Sequence, residues 1–112
     1  MKLKLLMLTI LLPFNLAASS ILCTGLSNQG ELIELSLEFS AKKAEISIDG
    51  NDYPVQVNNE FSIAWSNTVN EIDFINILSK INGSLQVLSN NDGAQELRAS
   101  LMCVESKNAL FN

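Results

Sequence analysis

Histidine is absent from this chain of 112 residues, arginine occurs once (Arg98), and cysteine occurs twice. Without histidine there can be no Ser–His–Asp triad and no Cys–His pair, and two cysteines are too few for a zinc site of clustered His and Cys. Seven basic side chains stand against twelve acidic ones, a net charge of −5. Neutralising phosphates takes clustered cations, so no nucleic-acid partner is expected. Phosphate-cradling glycine motifs and the Gly-x-Ser-x-Gly nucleophile pattern are missing too. No catalytic residue, metal or cofactor is expected from what remains.

No apolar run reaches the roughly 20 residues that a membrane-spanning helix needs. The longest begins after the short basic start Met1-Lys2-Leu3-Lys4 and covers Leu5 to Leu16, the size of a signal h-region. Ala17-Ala18-Ser19-Ser20 follows with the small residues that a signal peptidase seats. Residues 1–18 therefore read as a signal peptide, cleaved after Ala18 or Ser19. Leu22 fills the place before Cys23 where a lipoprotein signal needs a small residue, so lipidation of Cys23 is not expected. Cleavage leaves residues 19–112, one small domain with five basic and twelve acidic side chains and a net charge of −7. Its expected location is periplasmic or secreted, with no membrane span after cleavage.

In an oxidising compartment the two cysteines read as one disulfide, Cys23–Cys103. Bonded cysteines bring their Cα atoms within about 7 Å. The first and last segments of the domain are then neighbours, as in a closed barrel or a compact sandwich.

Alternation with period two dominates the domain. Ile33, Leu35, Leu37 and Phe39 alternate with Glu34, Ser36 and Glu38; Ala44, Ile46 and Ile48 alternate with Glu45, Ser47 and Asp49. Asp49-Gly50-Asn51-Asp52 is hairpin chemistry, and Tyr53, Val55 and Val57 form the return strand, where Pro54 indicates an edge or a strand start. Phe61, Ile63 and Trp65 alternate next. Over Glu71 to Ile81 the apolar face switches from Ile72 and Phe74 to Ile75 and Ile77, which suggests a bulge or a strand covered on both sides. Asn82-Gly83 reads as a two-residue type I′ turn, pairing Ile81 with Ser84, Lys80 with Leu85 and Leu78 with Val87. Leu97, Ala99, Leu101 and Cys103 close the series, and residues 105–112 read as a loose tail. About eight short strands at even spacing give an all-β fold, a small antiparallel barrel or flattened sandwich. The expected inward set is Ile33, Leu35, Leu37, Phe39, Ile46, Ile48, Val55, Val57, Phe61, Ile63, Trp65, Leu97, Ala99 and Leu101.

Glu34, Glu38, Glu45 and Asp49 fall on the outward face of the hairpin at 33–49, where antiparallel pairing can gather them. They are the candidate interaction surface, suited to a basic protein such as a cell-wall hydrolase, because complementary fields steer association. The same carboxylates could serve only to solvate the sheet. A carboxylate-dependent hydrolase would need a sugar cleft with aromatic platforms, and Tyr53, Phe61 and Trp65 all fall on the inward pattern. Neither Asp49–Asp52 nor Asn90–Gly93 carries the further ligands of a calcium loop. Asn82-Gly83-Ser84 is formally a glycosylation sequon.

A short exported all-β domain whose one disulfide joins its first and last strands resembles the general plan of small periplasmic inhibitors, the C-type lysozyme inhibitors among them. The resemblance rests on architecture and on the placement of Cys23 and Cys103. Ser66-Asn67-Thr68 lacks the glycine and tyrosine of that family's inhibitory loop, and Gly83-Ser84 has the order reversed, so no inhibitory residue is assigned. The functional expectation is a protein-binding or inhibitor-type module of the envelope. An alternative is a structural or assembly component that docks by the Pro54 edge or by Leu110 and Phe111 in the tail.

Overall fold

Eight antiparallel strands, each hydrogen-bonded to the next in sequence, close into a barrel. They are β1 (Ala18–Ser27), β2 (Leu32–Ser40), β3 (Glu45–Ile48), β4 (Asn51–Asn58), β5 (Ser62–Val69), β6 (Ile72–Ser79), β7 (Ser84–Asn91) and β8 (Ala94–Glu105). The computed structural model describes residues 18–105. The expected signal segment, apart from Ala18, and the tail from residue 106 lie outside the described residues. Glu105, expected in that tail, is the last residue of β8.

The seam is the pairing of β1 with β8, and Cys23 faces Cys103 directly across it. The two form a disulfide with Cα atoms 3.9 Å apart. Both cysteines are buried inside the barrel, and the Cys103 N–H donates to the Gly83 carbonyl at 2.8 Å. The backbones of β1 and β8 meet closely at Gly25. A Cβ there would stand 2.1 Å from the Ser100 carbonyl oxygen and 2.6 Å from the Leu101 Cα.

Three hairpins are two-residue turns with both central residues at positive φ, as type I′ requires: Asp49-Gly50, Asn70-Glu71 and Asp92-Gly93. Glu71 is the costly member, since a side chain with a Cβ is disfavoured at its φ of 68°. Glu71→Gly is expected to stabilise the fold by about 1 kcal/mol; chemical denaturation would show the midpoint rising with the slope unchanged.

The Asn82-Gly83 segment is not a two-residue turn. Four residues, Lys80 to Gly83, join Ser79 to Ser84, and among them only Gly83 has positive φ. The Ser79 hydroxyl accepts the Ile81 N–H at 3.1 Å, and the Ser79 carbonyl accepts the Gly83 N–H at 3.0 Å. This side-chain-capped loop moves the register by two, so Leu78 faces Leu85 and Val87 faces Asn76.

Alternation places Ile21, Leu37, Phe39, Ile46, Ile63, Leu78, Leu85 and Leu101 inside, where they fill the half of the barrel nearest the 41–44, 59–61 and 80–83 loops. Two bulges change the expected pattern. Val55 faces Trp65 but Val57 faces Ala64, so Gln56 is an extra residue in β4, and Val57 turns outward. Val87 faces Ala99 but Leu88 faces Leu97, so Arg98 is extra in β8, and Leu97 turns outward. Phe61, also expected inside, lies in the β4–β5 turn and is 59 % exposed; the Asn59 side chain caps that turn by accepting the Phe61 and Ser62 N–H groups. The face switch in β6 is neither a bulge nor two-sided cover. Its ladder to β5 runs unbroken from Ser62↔Ser79 to Val69↔Ile72. Phe74, Asn76 and Leu78 point inward, Ile77 is exposed, and the polar Asn76 is what disguises the stripe.

Candidate functional site

The other end of the barrel is open, and local sequence explains why. The β3–β4 hairpin is short, so β3 covers β2 only from Leu37 to Ser40 and leaves Leu32 to Ser36 unpaired on that side. The β4–β5 ladder begins at Val55. The Val55 N–H points to the β3 side, where it meets the carbonyl of Ala44, the residue just before β3, at 2.8 Å. Backbone donors alternate direction along a strand, so the nitrogen of Pro54 faces β5 and has no hydrogen to give. A proline at this position keeps β4 and β5 apart near the mouth.

A cavity of about 370 Å³ occupies this end, within the size range of small-molecule sites. Ile33, Leu35 and Ile48 make one wall; Trp65, Asn67, Phe74, Asn76 and Val87 make the other, and Arg98 and Glu31 stand among the lining residues. Asn76 is only 6 % exposed. Its amide nitrogen donates to the Asn67 Oδ1 at 2.9 Å and to the Trp65 carbonyl at 3.3 Å. Trp65 is 1 % exposed, and its indole N–H has no acceptor among the described residues.

The bulge carries Arg98 to the inner side. Its Nε donates at 3.0 Å to the hydroxyl of Ser89, a 3 % exposed residue, which sits opposite the cavity-lining Phe74. The Arg98 carbonyl accepts the Asn28 N–H at 2.7 Å, which ties the β1–β2 loop to the bulge. In an unbulged strand Arg98 would face solvent, as alternation with Leu97 and Ala99 implied. Nothing in the residue pattern around 95–101 betrays the extra residue. The signal for Asn76 was present, as a polar residue at an otherwise apolar inward position.

The four acidic candidates are only partly brought together. Glu38 faces Ser47, and Glu45 faces Ser40 one rung away. Asp49 lies in the adjoining turn. Glu34 faces Thr24 beyond the end of β3 and stands apart. Asp52, not singled out from the sequence, completes the group: it accepts a short hydrogen bond from the Ser47 hydroxyl and shares a shallow groove with Glu38 and Asp49. Lys42 and Lys43 line the adjacent groove with Glu38, Glu45 and Asp52, so the patch is mixed at one end. Among the described residues, no three His, Cys, Asp or Glu side chains converge as metal ligands, and no helix is long and apolar enough to cross a membrane.

At the filled end, burial holds Lys80 below its ordinary value of 10.5, while its ammonium donates to the Asn58 Oδ1 at 2.7 Å. The charged form is the one penalised, so the native state binds fewer protons than the unfolded chain between the lowered value and 10.5. Stability is expected to rise with pH through that window, and Lys80→Met to remove the slope, as denaturation across alkaline pH would show.

The arrangement defines a class: a small up-and-down barrel, packed at one end and hollow at the other. Comparison with protein-family models, curated proteins and solved structures finds no match for the chain.

Proposed function

We propose that this protein is an exported binding module, not an enzyme, that receives a small apolar group in the open end of its barrel. The observation that carries the reading is the roughly 370 Å³ cavity walled by Ile33, Leu35, Ile48, Phe74 and Val87, with the buried amide of Asn76 among them. Pockets that pair apolar walls with a few fixed polar groups are the usual form of small-molecule sites. Export is supported by the basic-then-apolar leader, by the small residues at 17–20 and by a disulfide of the kind that persists in oxidising compartments. Location in the periplasm or outside the cell follows from that reading.

Trp65 is the only tryptophan and lines the cavity, so it reports occupancy directly. Titration with the neutral probe phenylnaphthylamine is expected to quench Trp65 emission saturably. Ala99→Phe, which fills the cavity floor, and Leu35→Trp, which fills a wall, are each expected to weaken the effect at least about tenfold. Unchanged probe binding in both variants would remove the reading.

A second reading is favoured by the grouping of Glu38, Asp49 and Asp52 in one groove and by the acidic balance. It makes the outer β2–β4 face a docking surface for a basic partner such as a cell-wall hydrolase. Affinity for a cationic hydrolase would then fall as ionic strength rises, and Glu38→Lys would abolish it.

A further inference from the structure

Resting on the cavity reading, we infer that the natural occupant is a small amphipathic acid that also carries a hydrogen-bond donor, a hydroxyl or an amide N–H, close to its carboxylate. Three features of the cavity select this chemistry. The first is the unused end of Asn76. The Trp65 main-chain carbonyl can only accept, so the atom turned toward it at 3.3 Å is the amide nitrogen, and Oδ1 points away. That oxygen receives no hydrogen bond from the described residues. Asn76 lines the cavity, so a donor brought by the occupant can take the place of water at that oxygen.

The second feature is Arg98. Its Nε is engaged by Ser89, and Glu96 Oε1 lies 3.8 Å from the same nitrogen. Its terminal nitrogens make no hydrogen bond to the described residues and keep the fork that suits a carboxylate. Glu31 also lines the cavity, and a second negative charge on the occupant would meet it unfavourably. One carboxylate is the charge that fits.

The third feature is depth. Asn76 faces Val87, which faces Ala99, whereas Ser89, which holds Arg98, lies two residues farther along β7 toward the mouth. A carboxylate at Arg98 therefore sits nearer solvent, a donor at Asn76 sits deeper, and the apolar chain runs on against Ile33, Leu35 and Ile48. The cavity's size favours short chains over long acyl groups.

The test titrates the oxidised protein with four probes of one chain length, namely octanoate, β-hydroxyoctanoate, octanol and octylamine, and reads Trp65 emission and heat release. β-Hydroxyoctanoate is expected to bind about tenfold more tightly than octanoate, octanoate more tightly than octanol, and octylamine most weakly. Asn76→Leu is expected to abolish the advantage of the hydroxyl while octanoate still binds. Arg98→Gln, at a half-exposed position that leaves the core intact, is expected to abolish the preference for acid over alcohol. Equal affinity for all four probes, or tightest binding of octylamine, overturns the inference but leaves the cavity reading standing. If none of the four binds and phenylnaphthylamine also fails, the cavity reading falls and the inference with it.

Discussion

Replacing Cys23 and Cys103 together with serine is expected to lower the unfolding free energy by about 4 kcal/mol. The bond closes a separation of 80 residues, and in the chain-entropy model a loop of that length removes about 4–5 kcal/mol of freedom from the unfolded state. Small domains have total stabilities of about 5–15 kcal/mol, so the loss takes a large share of what is available. The bond also sits where the barrel needs it most. Every other strand pair is joined by a turn of a few residues, but β1 and β8 are separated by the whole chain, and their pairing is the slowest contact to form by loop closure. Urea denaturation of the oxidised protein and of the double variant measures the effect. A loss below about 1 kcal/mol would mean that the β1–β8 ladder closes the barrel without covalent help.

Gly25→Ala is the second large effect, and its cause is steric. The new methyl would stand 2.1 Å from the Ser100 carbonyl oxygen and 2.6 Å from the Leu101 Cα. Both obstacles are backbone, so no side-chain rotation relieves them, and β1 must move away from β8 two residues from the disulfide. A loss of about 3 kcal/mol is expected, at the upper end of overpacking costs. Gly30→Ala is the control. Its φ is 84°, yet nothing lies within 4 Å of the added Cβ, so only backbone strain of about 1 kcal/mol applies. Thermal unfolding of the pair separates the two mechanisms: comparable shifts in both variants would show that β1 and β8 yield easily at this point.

Much of this architecture was legible in the residues because the physics is local. Alternation across Ile33–Phe39 and Ala44–Ile48 requires strands with one buried face, and Asp49-Gly50 and Asp92-Gly93 carry the conformational freedom of two-residue hairpins. The two cysteines are the only ones in the sequence and had only each other to pair with. What escaped was parity. One extra residue at Gln56 and another at Arg98 reverse the faces of Val57 and Leu97, and a bulge leaves no mark in composition because it is imposed by closure of the whole barrel. The site suffered most, since Arg98 reaches the cavity only through its bulge. The turn at Asn82-Gly83 misled for another reason: Ser79 caps the loop with its side chain, a contact that competes with the two-residue turn its dipeptide favours. Asn76 was visible all along as the residue that broke the inward stripe of β6, but its place beside Trp65 and Asn67 comes from the pairing of β5 with β6.

Whether the hollow end of the barrel is the functional site is tested most directly by backbone and side-chain amide chemical shifts of the oxidised protein, recorded during titration with β-hydroxyoctanoate. If the hollow end is the site, saturable shifts are expected at the Trp65 indole N–H, the Asn76 side-chain amide, Leu35 and Arg98, with Glu38, Glu45 and Asp52 on the outer face unmoved. Shifts confined to that acidic face, with the cavity residues silent, would contradict it.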